Sequence, residues 1–212
     1  CYVSQQIHKL LGSDHYKAII CHLGSGGSLS AVRDGKCVDT SMGFTPLPGI
    51  MMGTRSGDID PSIIPFVAKK ENKTADEVVN DLNKKSGFLG LTERYSDFRD
   101  VYAGVEAGDE KCILAFNKYV RTVVNYIAMY YVELGGVDII CFTAGLGENA
   151  IPARKAIVEK LACLGIKIDE EKNNTRGEIA EISSDDSSVK VFVVPTNEEL
   201  MIATDTYNLL KK

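Results

Sequence analysis

Two glycine-rich segments, each following a short apolar run, constrain most strongly what this chain can fold into. The first is Cys21-His22-Leu23-Gly24-Ser25-Gly26-Gly27-Ser28, and the second is Phe142-Thr143-Ala144-Gly145-Leu146-Gly147-Glu148-Asn149. Glycine lets a backbone turn its N–H groups toward an anion and approach it closely, because no Cβ intervenes. A single such turn also fits a tight hairpin that needs glycine for geometry alone. Two of them, the second leading into a polar and acidic helix start, point to a clamp on a polyphosphate between parts of one α/β fold.

The residues between these turns set the rest of the organisation. Residues 2–11 read as the end of a helix stopped by Gly12. Tyr16 to Leu23, Ser28 to Arg33 and Lys36 to Thr40 read as three strands, with Asp34-Gly35 as a tight turn, so the first glycine turn sits in a β-meander. Residues 41–60 carry Gly43, Pro46, Pro48, Gly49, Gly53 and Gly57 and read as a long functional loop. Helices are expected from Pro61 to Lys70, from a Thr74 cap to Lys85, and from Asp97 to Ala107. The longest runs from Glu110 to Leu134, with its apolar stripe at helical spacing. Val137 to Thr143 is apolar throughout and predicts a central strand. A helix over 152–164, strands at 166–168 and 190–194, and a closing helix over 197–210 complete the pattern.

Composition excludes several classes. The net charge of −5 argues against a general nucleic-acid binder, which needs a basic surface. No apolar run approaches the ~20 residues that cross a bilayer. The cysteines Cys1, Cys21, Cys37, Cys112, Cys141 and Cys163 form no CxxC pair and no metal-ligand spacing with the histidines, which fits a reduced, cytoplasmic setting. The chain starts without Met in a helical pattern, which reads as a piece of a longer protein.

Several polar positions carry two readings each. Arg55, between Gly53 and Gly57, presents a rigid fork to a phosphoryl group or pairs with Asp58 or Asp60. Asp97-Phe98-Arg99 is a surface triplet, or a place where an aromatic ring underlies a base while its neighbours meet ribose or base edges. Glu148 and Asn149 contact a ligand or serve as dipole partner and cap. Glu198-Glu199 is an acidic helix start or supplies a Mg²⁺ carboxylate. Met42, Met51 and Met52 are pocket wall or core filler, and His8 and His15 read as surface residues.

Taken together, His22-Leu23-Gly24-Ser25-Gly26, Asp39-Thr40-Ser41-Met42-Gly43-Phe44-Thr45-Pro46-Leu47, Gly53-Thr54-Arg55-Ser56-Gly57-Asp58, Ser96-Asp97-Phe98-Arg99-Asp100, Thr143-Ala144-Gly145-Leu146-Gly147-Glu148-Asn149 and Thr196-Asn197-Glu198-Glu199-Leu200 closely resemble the C-terminal half of the acetate kinase family. The segments occur in that family's order and cover essentially the whole chain. The resemblance implies an α/β fold with the ribonuclease-H-like core of the acetate and sugar kinase, heat-shock ATPase and actin superfamily. Residues 1–212 would be the C-terminal domain, with a nucleotide in the cleft against an N-terminal domain that this chain lacks.

Carried over residue by residue, the resemblance implies that His22, Leu23, Gly24, Ser25 and Gly26 contact the ATP phosphates. Arg55 would stabilise the transferring phosphoryl group. Asp97, Phe98 and Arg99, with Gly145, Leu146, Gly147, Glu148 and Asn149, would hold the nucleoside and phosphates. Glu198 would bind Mg²⁺, and Pro46 would border the acetate methyl. Ser25 departs from the family, which usually has Asn there; its hydroxyl reaches less far. The family's Asn/Ser/Lys motif, substrate-binding Arg and catalytic Asp lie in the other domain. The resemblance thus implies reversible phosphoryl transfer between ATP/ADP and acetate/acetyl phosphate, homodimerisation through this half, and a fragment that binds nucleotide without turnover. Open alternatives are a propionate or butyrate kinase, pyrophosphate as the donor, and an assembly module without activity.

Overall fold

The computed structural model describes residues 2–210, apart from the side chains of Glu198, Leu200, Met201, Thr204, Asp205 and Asn208. Cys1 and the Glu198 carboxylate therefore lie outside the described residues. Strands β1 (Lys17–Leu23), β2 (Gly27–Arg33), β3 (Lys36–Thr40), β4 (Ile139–Thr143), β5 (Ala180–Glu181) and β6 (Lys190–Val193) form one sheet in the order β3-β2-β1-β4-β6-β5. The pairs β1–β4 and β4–β6 are parallel, and β1–β2, β2–β3 and β5–β6 antiparallel. The meander expected around the first glycine turn is present. Its tight turn has both Asp34 (φ 51°) and Gly35 (φ 76°) left-handed, as a two-residue hairpin with matched twist requires.

Every residue of β4 is buried because both faces of the sheet are covered. On one face Ile140 and Phe142 join Ile19, Cys21, Leu23, Val191 and Val193 beneath the long helix α6 (Glu110–Leu134) and helix α8 (Ile151–Glu159). On the other, Ile139 and Cys141 join Ala18, Val32, Phe192 and Val194 under Val3 and Ile7 of α1 (Tyr2–Leu11). Burying Cys21 and Cys141 pushes both thiols well above their ordinary pKa, so they act as small apolar side chains.

Helices α2 (Ile63–Glu71), α3 (Ala75–Lys84), α4 (Gly87–Thr92) and α5 (Phe98–Glu106) connect β3 to α6. Thr74 caps α3 through a reciprocal box with Glu77, as expected from its position. Helix α4 and strand β5 have no counterpart in the sequence reading, being too short for a periodic signal. Residues 166–168 form no strand; Ile168 makes a single bridge to Ser183. The expected helix over 152–164 ends at Glu159 and resumes as a 3₁₀ turn over Ala162–Leu164, closed by left-handed Gly165. Helix α7 (Ala144–Asn149) follows β4 directly, and α9 (Glu198–Leu210) follows β6.

Candidate functional site

Because β1, β4 and β6 are parallel, their carboxyl ends share one edge: His22 pairs with Thr143, and Phe142 with Val193. Ligands in open α/β sheets bind beyond such an edge, where the loops gather. The first glycine turn, the loop over 41–60 and α7 all meet there.

In the first turn, the Gly24 N–H donates to Gly26 O at 3.0 Å, which closes the loop. Among the described residues, the N–H groups of Ser25 and Gly26 have no backbone partner. A Cβ on Gly26 would lie 3.3 Å from Arg55 Nη1, so the guanidinium sits directly against this turn. A Cβ on Gly24 would meet the Ala144 methyl at 3.7 Å, which places the two glycine segments side by side.

Arg55 does not take the ion pair that the sequence left open. Asp58 is engaged elsewhere, accepting from the Gly49 N–H at 2.8 Å and from the Tyr126 hydroxyl of α6 at 2.5 Å. Burial, then the bond to Asp58, raises the Tyr126 pKa, so the phenol stays protonated and donates. Asp60 accepts from the Ser62 N–H at 2.9 Å. The half-buried Arg55 side chain donates to Met52 Sδ at 3.6 Å and forms no ion pair among the described residues. The backbone just before it, residues 52–54, is held by α4, whose start supplies N–H groups that a helix cannot use internally. Ser86, Phe88 and Leu89 donate to Thr54 O, Met52 O and Gly53 O at 2.9, 2.9 and 3.0 Å. Met51 and Met52 are buried core residues, not pocket wall.

A cleft of about 520 Å³ opens between Ser25, Gly26, Thr54 and Arg55 on one side and Asn80, Asn83 and Lys84 of α3 on the other. That volume is in the range of small-molecule sites. Sequence reasoning missed the α3 side chains because nothing local separates Lys84 from any exposed helical lysine.

The second glycine segment is itself helical, not a turn before a helix. The sharp bend falls on Ala144, whose φ of 65° is left-handed although it is not glycine. Thr143 just before it is fully buried, and its hydroxyl has no partner among the described residues. Asn149 donates to Gly145 O at 3.0 Å, within its own helix. Glu148 Oε1 accepts from the Thr196 N–H at 2.9 Å and from its hydroxyl at 3.2 Å, joining α7 to the segment before α9. Among the described residues, and apart from its own helix, nothing lies within 4 Å of a Cβ built on Gly145. Left-handed backbone costs an L-residue about 1 kcal/mol, so Ala144→Gly is expected to raise thermal stability modestly. A lower Tm in a melting scan would mean that the alanine methyl contributes more than the strain costs.

Asp97 caps α5, accepting from the Arg99 N–H at 2.8 Å and forming a two-pronged ion pair with its guanidinium. The Arg99 side chain, then its N–H, holds the Asp97 carboxyl below the usual range. Phe98 is only 6% exposed and packs with Phe88, Tyr102, Phe116 and Tyr119, so its ring belongs to the core and has no free face for a base. The triplet still borders the site: a Cβ on Gly53 would lie 2.8 Å from Ser96 O. Pro46 is exposed in the loop beside a fully exposed Phe44.

The sequence model of the acetokinase family matches residues 1–204. The chain belongs to that family. An acetate kinase of Clostridium novyi is 54% identical over 213 residues, covering 100% of this chain and 53% of its own length. Acetate kinase from Porphyromonas gingivalis superposes with a TM-score of 0.94 at 39% identity, over 98% of this chain and 53% of that one. A propionate kinase from Francisella tularensis gives 0.90 at 44% identity, over 95% and 52%. The chain spans about half the length of the curated relatives it matches. Its sheet and helices are those of the acetate and sugar kinase, heat-shock ATPase and actin superfamily.

One acetokinase-fold residue went unnoticed in the sequence. Arg154 of α8 is fully buried and bonds to the Gly147 and Glu148 carbonyls. Nothing in Pro152-Ala153-Arg154-Lys155 distinguishes it from its exposed-type neighbour.

Proposed function

We propose that residues 1–212 are the C-terminal domain of an acetate kinase, which with an N-terminal domain transfers the γ-phosphoryl group of ATP to acetate, giving acetyl phosphate and ADP. One observation carries this reading: a guanidinium with no carboxylate partner among the described residues lies against a glycine turn. Phosphoryl transfer asks little covalent chemistry of a protein; it needs positioning and neutralisation of charge on the transferring group. Backbone N–H groups of Ser25 and Gly26 and the open backbone at Gly145 suit phosphate oxygens, and Arg55 suits the charge that builds as the group moves. His22, Leu23 and Gly24 shape the turn. Asp97 and Arg99, with Leu146, Gly147, Glu148 and Asn149, frame the nucleoside side; Phe98 does so from within the core. Pro46 lies in the loop that would border the acetate methyl.

No group of three metal-ligating side chains occurs among the described residues, and Mg²⁺ at phosphates needs only one or two carboxylates. Glu198, the first residue of α9 beyond β6, is the proposed ligand. Bound there, the ion would neutralise phosphate charge. The same reading makes the protein a cytoplasmic homodimer through this domain. Exposed Met129 and Val132 of α6 supply apolar surface for the contact. No helix among the described residues is long and apolar enough to cross a membrane.

Hydrogen exchange with MgATP tests the site in the full-length protein. Slowed amides at 24–26, 53–55 and 145–149 are expected, with acetyl phosphate formed when acetate is added. Unchanged exchange at all three segments would sink the reading. Pyrophosphate in place of ATP is expected to leave residues 97–99 unprotected. The isolated chain is expected to form no acetyl phosphate. The propionate kinase likeness supports a second reading, a longer acyl substrate; kcat/KM across acetate, propionate and butyrate separates the two.

A further inference from the structure

We infer that Arg154 is a positioning residue for nucleotide binding: it locks α7 and, through Glu148, the segment leading into α9 in the arrangement the site needs. This rests on the proposed role of α7 at the nucleotide. A guanidinium has five N–H donors, and here every one is used. Nε donates to Asn173 Oδ1 at 2.8 Å, and Nη1 donates to Gly147 O and Glu148 O at 3.0 and 2.8 Å. Nη2 donates to Asn173 O and Thr175 O at 2.8 and 2.9 Å. Asn173 in turn donates through Nδ2 to Ile151 O at 3.2 Å, closing the cluster onto the start of α8.

A buried charge is ordinarily balanced by an opposite one. Arg154 is fully buried, yet no carboxylate balances it among the described residues; carbonyl and amide oxygens solvate it instead. Burial lowers its pKa to about 10, so it remains charged at neutral pH. Such an arrangement costs stability unless the donors are all met, so it specifies one geometry sharply. The geometry it specifies is that of α7. A six-residue helix leaves most of its carbonyls without internal partners, and Arg154 takes those of Gly147 and Glu148. With its backbone held, Glu148 can reach the Thr196 N–H and hydroxyl. The Arg154 fork thus ties three separate stretches, α7, residues 173–175 and the approach to α9, into one unit behind the glycine segment. Lysine, with three donors and no planar fork, cannot reproduce it.

The test uses Arg154→Lys and the milder Asn173→Ala in the full-length kinase, with KM for ATP, KM for acetate, kcat and ligand-free hydrogen exchange as readouts. Both variants are expected to raise KM for ATP, on the order of tenfold for Arg154→Lys, with KM for acetate unchanged. Exchange should quicken at 145–149 and 194–197 and not in β1 or β2. A purely structural role lowers kcat with the folded fraction and leaves both KM values alone; that result in both variants overturns the inference. If the wild type itself neither turns over nor is protected by ATP, the functional reading fails separately. Ligand-free exchange then still decides: a change confined to the two segments upholds the positioning unit, and a uniform change across the sheet removes it.

Discussion

Arg55→Ala in the full-length protein is expected to lower kcat by about 10³-fold, the range seen when an arginine that meets a transferring phosphoryl group is removed. The expectation follows from what Arg55 lacks. Asp58 and Asp60, the carboxylates close to it in sequence, are engaged with Gly49, Tyr126 and Ser62, and the guanidinium rests against Gly26 and Met52 Sδ. A cation held at a glycine turn with no counter-charge among the described residues is preorganised for an anion, and its effect is greatest on the state with most charge to stabilise. KM for ATP should therefore change far less than kcat. Arg55→Lys should recover little, because an ammonium cannot make two parallel contacts. A loss in kcat of less than about tenfold would show that Arg55 lines the site without acting in the transition state.

Gly87→Ala is expected to destabilise the protein by about 2–5 kcal/mol, summing a left-handed backbone penalty and overpacking. Gly87 has φ 62°, and a Cβ there would lie 2.1 Å from Met52 O and 2.8 Å from Arg55 O. Both are backbone atoms, so no side chain can swing aside. The start of α4 would have to retreat, releasing the Ser86, Phe88 and Leu89 N–H bonds that hold residues 52–54. Urea denaturation should show a lower midpoint at unchanged slope. The folded fraction should also turn over slowly, because residues 52–54, which lead into Arg55, are held from this side. A midpoint equal to wild type would mean that α4 does not clamp the loop.

The two helices that flank the site differ in how far they were legible. Helix α6 was readable at about Glu110 to Leu134, because its stripe repeats over many turns and Gly135 stops it in the left-handed conformation. Helix α4 was not, because six residues carry no periodicity and its purpose is a set of N–H groups offered to a distant loop. The same contrast holds among site residues. Local glycine spacing marks Gly24, Gly26 and Gly145, whereas most ring partners of Phe98 and the side-chain partners of Glu148 and Arg154 come from other elements.

Local chemistry by itself determined strands β1–β4 and β6, the main helices, the glycine segments and the motif order that marks the family, since backbone freedom and apolar periodicity act over a few neighbouring residues. Tertiary structure alone decided which polar groups are spent and which remain open. Parallel pairing brought the ends of β1, β4 and β6 to one edge, Tyr126 drew Asp58 away from Arg55, and the aromatic core claimed Phe98. Hydrogen bonds and ion pairs depend on distances across the fold, and those arise only once the sheet has assembled.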